Sequence, residues 1–372
     1  MTLRVVIAGG GTAGHVFPGL ALARTLRDRG HRVEFAGTAR GVEATLVPAA
    51  GFELHVVEAS PFVRKLSPAA LRAPLAAVRA IRRCRTVVAG ADVVVGMGGY
   101  VSVPGVLAAR RERIPAVLHE QNAVPGLANR ALSRLARLVG LSFAAAGRSF
   151  PRRVRGRLRL TGNPVREEIL RVAADREPLA KEGRKELGLS DRRRTVLVFG
   201  GSQGALHVDR AAAGACRILA GRRDLQVVLI TGEAHLDPIR RSLRPAPRGL
   251  VVRTFGFLDR MDLAYACADL VVSRAGATTI AEITAVGLPA VLIPYPYATG
   301  RHQEANAQAL RRAGGASVML DDQLSAESLA ERIEGMIDHQ ERLEAMAERS
   351  RAFGKPDAAD RLAHLVEEAG AR

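Results

Sequence analysis

The stretch Val5-Val6-Ile7-Ala8-Gly9-Gly10-Gly11-Thr12-Ala13-Gly14 joins an apolar run to a glycine-rich turn near the start of the chain. The stretch Val196-Leu197-Val198-Phe199-Gly200-Gly201-Ser202-Gln203-Gly204-Ala205 repeats this order in the second half. Each predicts a buried strand, a turn whose glycines let backbone amides approach a phosphate, and the first turn of a helix. Two such units in one chain predict two Rossmann-like domains.

The rest of the chain continues the alternation of short apolar runs and helical segments. Near-continuous apolar strands separated by helices indicate parallel sheets. We predict strands at residues 3–8, 32–36, 53–57, 92–95, 116–119, 195–199, 226–230, 251–254, 269–272 and 290–293. The predicted fold class is α/β, with two Rossmann-like domains whose parallel sheets face each other across a cleft.

We place the domain boundary near Asn163, after an arginine-rich segment (residues 148–159) that is poor in core pattern. The first domain then spans residues 1–163 and the second residues 164–354. A break at Gly354-Lys355-Pro356 separates a last helix, which we expect at about residues 355–372, packed back on the first domain.

Composition and charge exclude several classes of protein. The 372 residues include three cysteines without CxxC spacing, which argues against a disulfide scaffold or a cysteine-rich zinc site. The formal net charge is +18, and residues 1–163 carry most of it, with 25 basic and 8 acidic residues. This asymmetry predicts an anionic partner for the first half. We expect no nucleic acid, because tryptophan is absent and aromatic residues make up only 4%.

The pattern Gly9-x-Gly11-x-x-Gly14 also matches the dinucleotide fingerprint, and we expect Glu34 to end the second strand, where a carboxylate would bind the ribose of NAD. An NAD(P)-dependent oxidoreductase is therefore a competing hypothesis, although it leaves the second glycine-rich turn and Glu282 unexplained. His15 directly follows the first turn. Its imidazole could act as a base near neutral pH, or it could cap the helix or fill the core.

Further polar or glycine-rich segments follow other predicted strands, at the sheet edge where ligands bind. They are Gly96-Met97-Gly98-Gly99-Tyr100-Val101-Ser102, His119-Glu120-Gln121-Asn122, residues 273–282 and residues 301–306. The helix that opens within residues 273–282 can stabilise pyrophosphate charge, and Glu282 offers two oxygens to a ribose diol. His119 has no second histidine at zinc-binding spacing, so we expect no metal site.

Taken in order, and together with Gly162-Asn163-Pro164-Val165-Arg166, these segments resemble the MurG family of bacterial peptidoglycan N-acetylglucosaminyltransferases. The resemblance covers nearly the whole chain and implies a GT-B fold with an interdomain active site and no cofactor. It implies inverting transfer of GlcNAc from UDP-GlcNAc to the C4 hydroxyl of MurNAc in undecaprenyl-pyrophosphoryl-MurNAc-pentapeptide (lipid I), at the cytoplasmic face of the cell membrane. Transfer to another lipid acceptor is the nearest alternative.

The resemblance also implies roles for single residues. His15 is expected to be the general base, with Glu120 as its support or rival. The implied substrate-binding residues are Thr12, Ala13 and Gly14 in the first glycine loop, Asn122 and Arg166 in the cleft, Ser202 at the phosphate, Leu258 at the uracil, Ala277, Thr278, Thr279, Ile280, Ala281 and Glu282 at the pyrophosphate and ribose, and Gln303 at the GlcNAc hydroxyls. Ala13 and His302 depart from the glycine and glutamine of some members, which leaves the fine donor contacts open.

Two runs without acidic residues hold most of the excess charge. The first contains Arg64, Lys65, Arg72, Arg79, Arg82, Arg83 and Arg85, interleaved with apolar residues, and the second places ten basic residues between Glu120 and Glu167. A basic amphipathic surface fits anionic lipid headgroups, at about 1 kcal/mol for each basic residue near the membrane. A solubilising basic face is the alternative. We predict that the first half docks peripherally on an anionic membrane surface.

Overall fold

The computed structural model describes residues 2–57, 68–201 and 204–371, and within residues 68–88 it describes the side chains from residue 77 onward. The chain divides into two compact units. The first comprises Met1–Arg166 and Pro356–Arg372, and the second comprises Glu167–Lys355. Each unit is built on one fully parallel sheet, which confirms the predicted α/β, GT-B class of fold.

The first unit has a seven-stranded sheet in the order β3-β2-β1-β4-β5-β6-β7. Its strands are β1 (Arg4–Ala8), β2 (Arg32–Gly37), β3 (Glu53–Val56), β4 (Val93–Gly96), β5 (Ala116–Glu120), β6 (Leu138–Leu141) and β7 (Leu158–Leu160). The described helices are α1 (Ala13–Asp28), α2 (Glu43–Ala49), α3 (Pro68–Val88), α4 (Ser102–Arg111) and α5 (Leu127–Leu132), with 3-10 turns at Ala144–Ser149 and Arg152–Arg157. The central strands β1, β4, β5 and β6 are buried on both faces because helices cover both, which explains their apolar runs. The edge strands β3 and β7 are partly exposed.

The last helix of the chain, α15 (Ala358–Gly370), packs in the first unit. Leu362 and Val366 are fully buried in the same apolar cluster as Val5 and Val93 of the central strands. Burying a side chain of this size contributes roughly 1.5–3 kcal/mol relative to exposure. Arg29 at the end of α1 pairs with Glu367 at 3.0 Å, which adds a polar contact at the rim of this interface.

The second unit has a six-stranded sheet in the order β10-β9-β8-β11-β12-β13. Its strands are β8 (Arg194–Phe199), β9 (Leu225–Ile230), β10 (Val251–Phe255), β11 (Leu270–Ser273), β12 (Ala290–Leu292) and β13 (Ala316–Val318). Its helices are α6 (Glu167–Ala174), α7 (Arg176–Glu186), α8 (Leu206–Ile218), α9 (Glu233–Ser242), α10 (Met261–Cys267), α11 (Ala277–Val286), α12 (His302–Arg312), α13 (Ala326–Ile337) and α14 (Gln340–Phe353).

All ten predicted strands are present, and three further strands, β6, β7 and β13, were not predicted. The prediction that residues 148–159 are poor in core pattern is wrong in part. Phe150 and Val154 are 2% and 1% exposed, and β7 begins at Leu158 and forms the sheet edge. Arginines between these apolar positions hide the pattern because they face outward. None of the helices in the described part of the chain has both the length and the hydropathy that crossing a membrane requires.

Candidate active site

The glycine-rich turns lie at the point in each sheet where the strand order reverses. In the first unit, β1 and β4 are neighbours, and the turns after them contain Gly11 and Gly98. In the second unit, β8 and β11 are neighbours, and the turns after them contain Gly204 and Gly276. Ligands of doubly wound sheets bind outside the carboxyl ends of the strands at this position. The topology therefore brings the predicted segments of each unit to its expected binding edge.

The two turns of the first unit pack against each other, and glycine is required where they touch. Gly11, Gly98 and Gly99 have φ values of 89°, 94° and 74°, which side chains disfavour. A Cβ atom at Gly99 would lie 2.6 Å from the carbonyl oxygen of Gly10, and one at Gly98 would lie 2.8 Å from the ring of His15. The second turn therefore forms one wall of the space that holds His15.

His15 stands in the first turn of α1, with Nδ1 3.1 Å from the hydroxyl oxygen of Thr12. Its side chain is half-buried. Burial lowers the pKa of His15 to about 4, although the charge of Glu43 acts in the opposite direction. The imidazole is therefore neutral near pH 7 and can accept a proton. Thr12 is exposed, and Ala13 and Gly14 continue from it into the helix.

His119 of β5 is fully buried. Its Nε2–H donates to the carbonyl oxygen of Gly162 at 3.0 Å, which leaves Nδ1 as the basic nitrogen of the neutral ring. Nδ1 is buried and has no hydrogen-bond partner among the described residues. Burial lowers the pKa of His119 to about 4, with further lowering from the charge of His15. His119 thus ties the end of β5 to the segment that follows β7.

Glu120 is 3% exposed, and its carboxylate is engaged by its own loop. Oε1 accepts from the backbone amide of Asn122 at 2.9 Å, and Oε2 accepts from the amide of Gly126 at 3.1 Å and from Nδ2 of Asn129 at 2.9 Å. Burial raises the pKa of Glu120, and these hydrogen bonds act against that rise. The contacts describe a carboxylate that shapes the loop carrying Asn122.

Arg166 lies beside the helix that carries His15. Its guanidinium carbon is 4.5 Å from the ring centroid of Phe17 on α1, a cation–π contact. Asn122, like Arg166, is half-buried. The first unit thus places Thr12 and His15 at the start of α1 and Arg166 beside Phe17 on the same helix.

A buried carboxylate that the sequence did not predict backs the first glycine turn. Glu43 is fully buried at the start of α2, and Oε2 accepts a hydrogen bond of 2.8 Å from the amide of Gly11. The amide and hydroxyl of Thr38 donate to Oε1 at 3.0 and 2.7 Å. Burial alone raises the pKa of Glu43, but the hydrogen bonds from Gly11 and Thr38 outweigh it, so the net pKa is below the ordinary value.

Glu34 does not have the position that the NAD hypothesis requires. It does not end the second strand, because β2 continues to Gly37, and its side chain is 2% exposed. Its carboxylate is ion-paired with Arg4 at 2.7 Å and Arg32 at 2.8 Å and lies 3.0 Å from Nε2 of His55. Hydrogen bonds, the one from Arg4 above all, hold the pKa of Glu34 well below its usual range. A carboxylate bound in this way serves the core and does not present its oxygens to a ribose.

In the turn after β8, residues 202 and 203 lie outside the described residues, and Ser202 is one of them. Gly204 has φ 73°, and a Cβ atom there would lie 2.0 Å from the carbonyl oxygen of Thr231. Below this turn, Asp209 of α8 is fully buried and lies 2.9 Å from Nδ1 of His235. Burial raises the pKa of Asp209 to about 6. The close approach of Gly204 to the carbonyl oxygen of Thr231 explains why this turn needs glycine.

The helix α11 begins directly after the turn that follows β11. Gly276 has extended backbone, and Ala277 is the first helical residue. Thr278 and Thr279 are partly exposed at this end, as is Ala281. Ile280 is 1% exposed, and its amide donates to the carbonyl oxygen of Gly276, so its side chain packs in the core. The helix start offers partial positive charge to a phosphate.

Glu282 is 5% exposed, which excludes a solvated helix position. The hydroxyl of Tyr265, a fully buried residue of α10, donates to Oε2 of Glu282 at 3.0 Å. Asn306 of α12 is also fully buried and donates from Nδ2 to the carbonyl oxygen of Ala275 at 3.2 Å. These buried contacts fix α10 and α12 to the turn and helix that carry the predicted donor site.

Gln303 stands near the start of α12, and its Oε1 accepts from the backbone amide of Tyr295 at 2.9 Å. His302, beside it, has Nδ1 2.8 Å from the carbonyl oxygen of Thr299. Leu258 lies in the loop between β10 and α10 and is partly exposed. The second unit thus places Leu258, Glu282 and Gln303 on elements that follow β10, β11 and β12.

Comparison with known proteins assigns both units to one family. The model of the glycosyltransferase family 28 N-terminal domain matches residues 5–140, and that of the C-terminal domain matches residues 195–362. The chain belongs to glycosyltransferase family 28. The first of these family 28 domains contains the turns around Gly11 and Gly98, and the second contains those around Gly204 and Gly276.

Full-length relatives within family 28 carry the name UDP-N-acetylglucosamine--N-acetylmuramyl-(pentapeptide) pyrophosphoryl-undecaprenol N-acetylglucosamine transferase. The protein of Halothermothrix orenii is 41% identical over 98% of this chain and 99% of its own. That of Bacillus subtilis is 38% identical, also over 98% and 99%. That of Acidothermus cellulolyticus is 42% identical over 99% and 98%.

A solved structure of a protein named MurG also matches nearly the whole chain. The structure of Acinetobacter baumannii MurG is 28% identical, covers 98% of this chain and 99% of its own, and superposes with a TM-score of 0.77. The structure of UDP-GlcNAc 2-epimerase from Neisseria meningitidis bound to UDP-GlcNAc has a TM-score of 0.70 at 12% identity. The second likeness shows the fold alone.

Proposed function

We propose that this chain transfers GlcNAc from UDP-GlcNAc to the C4 hydroxyl of MurNAc in undecaprenyl-pyrophosphoryl-MurNAc-pentapeptide, forming lipid II for peptidoglycan. The observation that carries the proposal is identity of 38–42% with transferases of that name over 98–99% of the chain. The position of the glycine-rich turns supports it, because they lie at the strand-order reversal of each sheet, where ligands of doubly wound sheets bind.

The second unit would bind the donor. The N-terminus of α11, at Ala277, supplies partial positive charge for the pyrophosphate, and Ser202 would add a hydroxyl. Glu282, oriented by Tyr265, would accept hydrogen bonds from the ribose hydroxyls. The backbone of Leu258 would meet the uracil, and Gln303 would read the GlcNAc hydroxyls.

The first unit would supply the base. Inversion at C1 needs one in-line attack by the acceptor oxygen, and its proton must pass to a nearby group. We prefer His15, because its imidazole is neutral at pH 7 and half-exposed beside the first glycine turn. Glu120 fits the supporting role, because both its oxygens already accept hydrogen bonds from residues 122–129.

As the bond to UDP breaks, negative charge grows on the leaving phosphate. Preorganised donors that meet this charge lower the barrier. The start of α11 and the hydroxyl of Ser202 would act from the second unit. Arg166, held against Phe17 on the helix of His15, would bring a permanent positive charge from the first.

We also infer that the first unit docks peripherally on the anionic, cytoplasmic face of the cell membrane. The described part of α3 is amphipathic: Ala80, Cys84 and Val88 are buried, whereas Val78 is 45% exposed and the arginines face outward. The described arginines of this helix are Arg79, Arg82, Arg83 and Arg85. Arg64 and Lys65 lie outside the described residues, as does the side chain of Arg72.

The helix α4 packs beside α3, and its C-terminal end lines a basic cavity. Arg85 of α3 contacts Glu112, the residue that follows α4, at 2.5 Å. The cavity has a volume of about 480 Å³, and its rim carries four exposed arginines and the half-exposed Leu135; the arginines are Arg110, Arg113, Arg137 and Arg157. Their guanidinium groups form no ion pair with described residues. This surface extends the positive charge of α3 and suits lipid phosphates.

The experiment that tests the proposed reaction is transfer of labelled GlcNAc from UDP-GlcNAc by the purified protein, with and without a lipid I analogue. The proposal requires labelled lipid product and acceptor-dependent release of UDP. A thermal shift series with UDP-GlcNAc and NADH separates this function from the NAD(P) hypothesis. Stabilisation by NADH alone would contradict the proposed donor.

A further inference from the structure

Glu43 occupies the hollow of the first glycine turn. Its side chain is fully buried, and its carboxylate replaces the contacts that a bound anion makes with such a turn. The amide of Gly11 donates to Oε2 at 2.8 Å, while the amide and hydroxyl of Thr38 donate to Oε1 at 3.0 and 2.7 Å. Three donors to one buried carboxylate compensate much of its desolvation.

The backbone around this carboxylate leaves room for no other group. A Cβ atom at Gly10 would lie 2.3 Å from Oε1 of Glu43, and one at Gly41 would lie 2.0 Å from Oε2. On its other side, the turn meets Tyr100, whose ring atom Cε1 would be 2.9 Å from a Cβ atom at Gly11. The turn is thus held between the Glu43 carboxylate and the second glycine turn.

The anchored residue, Gly11, lies four residues before the proposed base, His15. Gly11 precedes Thr12, whose carbonyl oxygen accepts from the amide of His15 at 3.0 Å and whose hydroxyl lies 3.1 Å from Nδ1. Removing the Glu43 anchor would free Gly11, and the displacement would pass through Thr12 to the imidazole. Misplacing a catalytic group by about 1 Å can cost on the order of 100-fold in rate.

We propose that Glu43 is a positioning residue of the transfer reaction: its buried carboxylate fixes the first glycine turn and thereby sets the place of the His15 ring. The inference rests on the proposed function and on His15 as base. The charged or titratable groups that act on His15 are Glu43 from α2 and His119 from β5. Glu43 therefore also supplies the negative charge that opposes the low pKa of His15.

The test compares Glu43→Gln with a matched control, Glu34→Gln. Both remove a buried carboxylate from the first unit, but Glu34 contacts Arg4, Arg32 and His55 and does not touch the turn. Glutamine keeps one acceptor and turns an NH₂ group toward donors. We expect Glu43→Gln to lower kcat at least roughly tenfold, with KM for UDP-GlcNAc within about twofold of wild type. We expect Glu34→Gln to keep kcat within about twofold, even if it lowers the melting temperature.

Thr38→Val is a milder perturbation of the same anchor, because it removes only one of the three hydrogen-bond donors to the Glu43 carboxylate. It should lower kcat several-fold without changing the donor KM. Hydrogen exchange of the peptide covering residues 9–15 should become faster in Glu43→Gln and stay unchanged in Glu34→Gln. This readout needs no activity, so it tests the anchor even if the wild type proves inactive and the proposed function fails. Wild-type kcat in both Glu43→Gln and Thr38→Val would overturn the positioning role.

Discussion

The hydroxyl of Tyr265 donates a 3.0 Å hydrogen bond to Oε2 of Glu282, and both side chains are buried. A carboxylate held from the core side keeps a fixed orientation when it meets a ligand. Tyr265 on α10 therefore orients Glu282 on α11. Of the two, only Glu282 was predicted from the sequence as a site residue.

Glu282→Gln should weaken UDP-GlcNAc binding, because an amide accepts fewer hydrogen bonds from a ribose diol than a carboxylate. We expect at least a tenfold rise in Kd by calorimetry, consistent with about 1.5–3 kcal/mol for hydrogen bonds to a charged group. Tyr265→Phe should give a smaller rise, because the carboxylate stays but loses its orienting donor. Glu331→Gln, on the exposed face of α13, is the control. Unchanged Kd in Glu282→Gln would remove this residue from the ribose site.

His15→Ala should lower kcat at least roughly tenfold while UDP-GlcNAc still binds, because the variant loses the proton acceptor and keeps the donor residues of the second unit. Transfer assays and calorimetry on the same samples separate the two effects. His364→Ala is the matched control, since His364 lies in the same unit and its side chain is 77% exposed. Near-normal turnover of His15→Ala would transfer the role of base to another group, with Glu120 first in order.

Because His119 is buried with a lowered pKa, we expect the free energy of unfolding to fall in acid. Its pKa is lowered from 6.5 to about 4 in the folded protein, so the unfolded chain binds more protons between these values. Stability is therefore fully present above pH 6.5 and falls as the pH drops toward 4, by at most about 3 kcal/mol from this residue.

Denaturant titrations at pH 7.5, 6 and 5 measure this effect. His119→Asn should start less stable at pH 7.5 but lose less stability on acidification than wild type. His364→Asn, at a histidine of the same unit that is 77% exposed, is the control for the substitution itself. Equal slopes for wild type and His119→Asn would show that His119 does not titrate with a lowered pKa.

Charge reversal on α3 should weaken binding to anionic vesicles. Arg79 and Arg82 are exposed, and each contributes about 1 kcal/mol near such a surface. The double variant Arg79→Glu/Arg82→Glu should sediment with phosphatidylglycerol vesicles at least tenfold less, and high salt should release the wild type. The control reverses two exposed arginines of the second unit, Arg241→Glu/Arg342→Glu. Equal losses in both double variants, or wild-type affinity for neutral vesicles, would argue against docking through α3.

The fold could be predicted from the sequence because most predicted strands, such as those at residues 5–8 and 196–199, are near-continuous apolar runs of the kind that a doubly covered parallel sheet buries. Two of the three missed strands lack that signal, whereas β6 (Leu138–Leu141) has it and was still missed. β7 contains Arg159 between Leu158 and Leu160 at the sheet edge, and β13 has only three residues.

The site could be predicted as far as its turns and polar clusters, which are contiguous in sequence. Glu43 could not, because its partner in the glycine turn, Gly11, lies 32 residues earlier and donates through its backbone. The spacing of Glu34 suggested a carboxylate for the ribose of NAD, but this side chain is buried and ion-paired with Arg4 and Arg32. Spacing alone cannot distinguish a carboxylate that meets a ligand from one that meets an arginine.

The central claim is that this protein joins GlcNAc to the C4 hydroxyl of MurNAc on a lipid pyrophosphate. The most direct measurement supplies labelled UDP-GlcNAc with a lipid I analogue and, in parallel, with the same analogue lacking the C4 hydroxyl. We predict labelled disaccharide lipid with a β-linkage from the first acceptor and none from the second. Equal UDP release with both acceptors, or no labelled lipid from the intact analogue, would contradict the account.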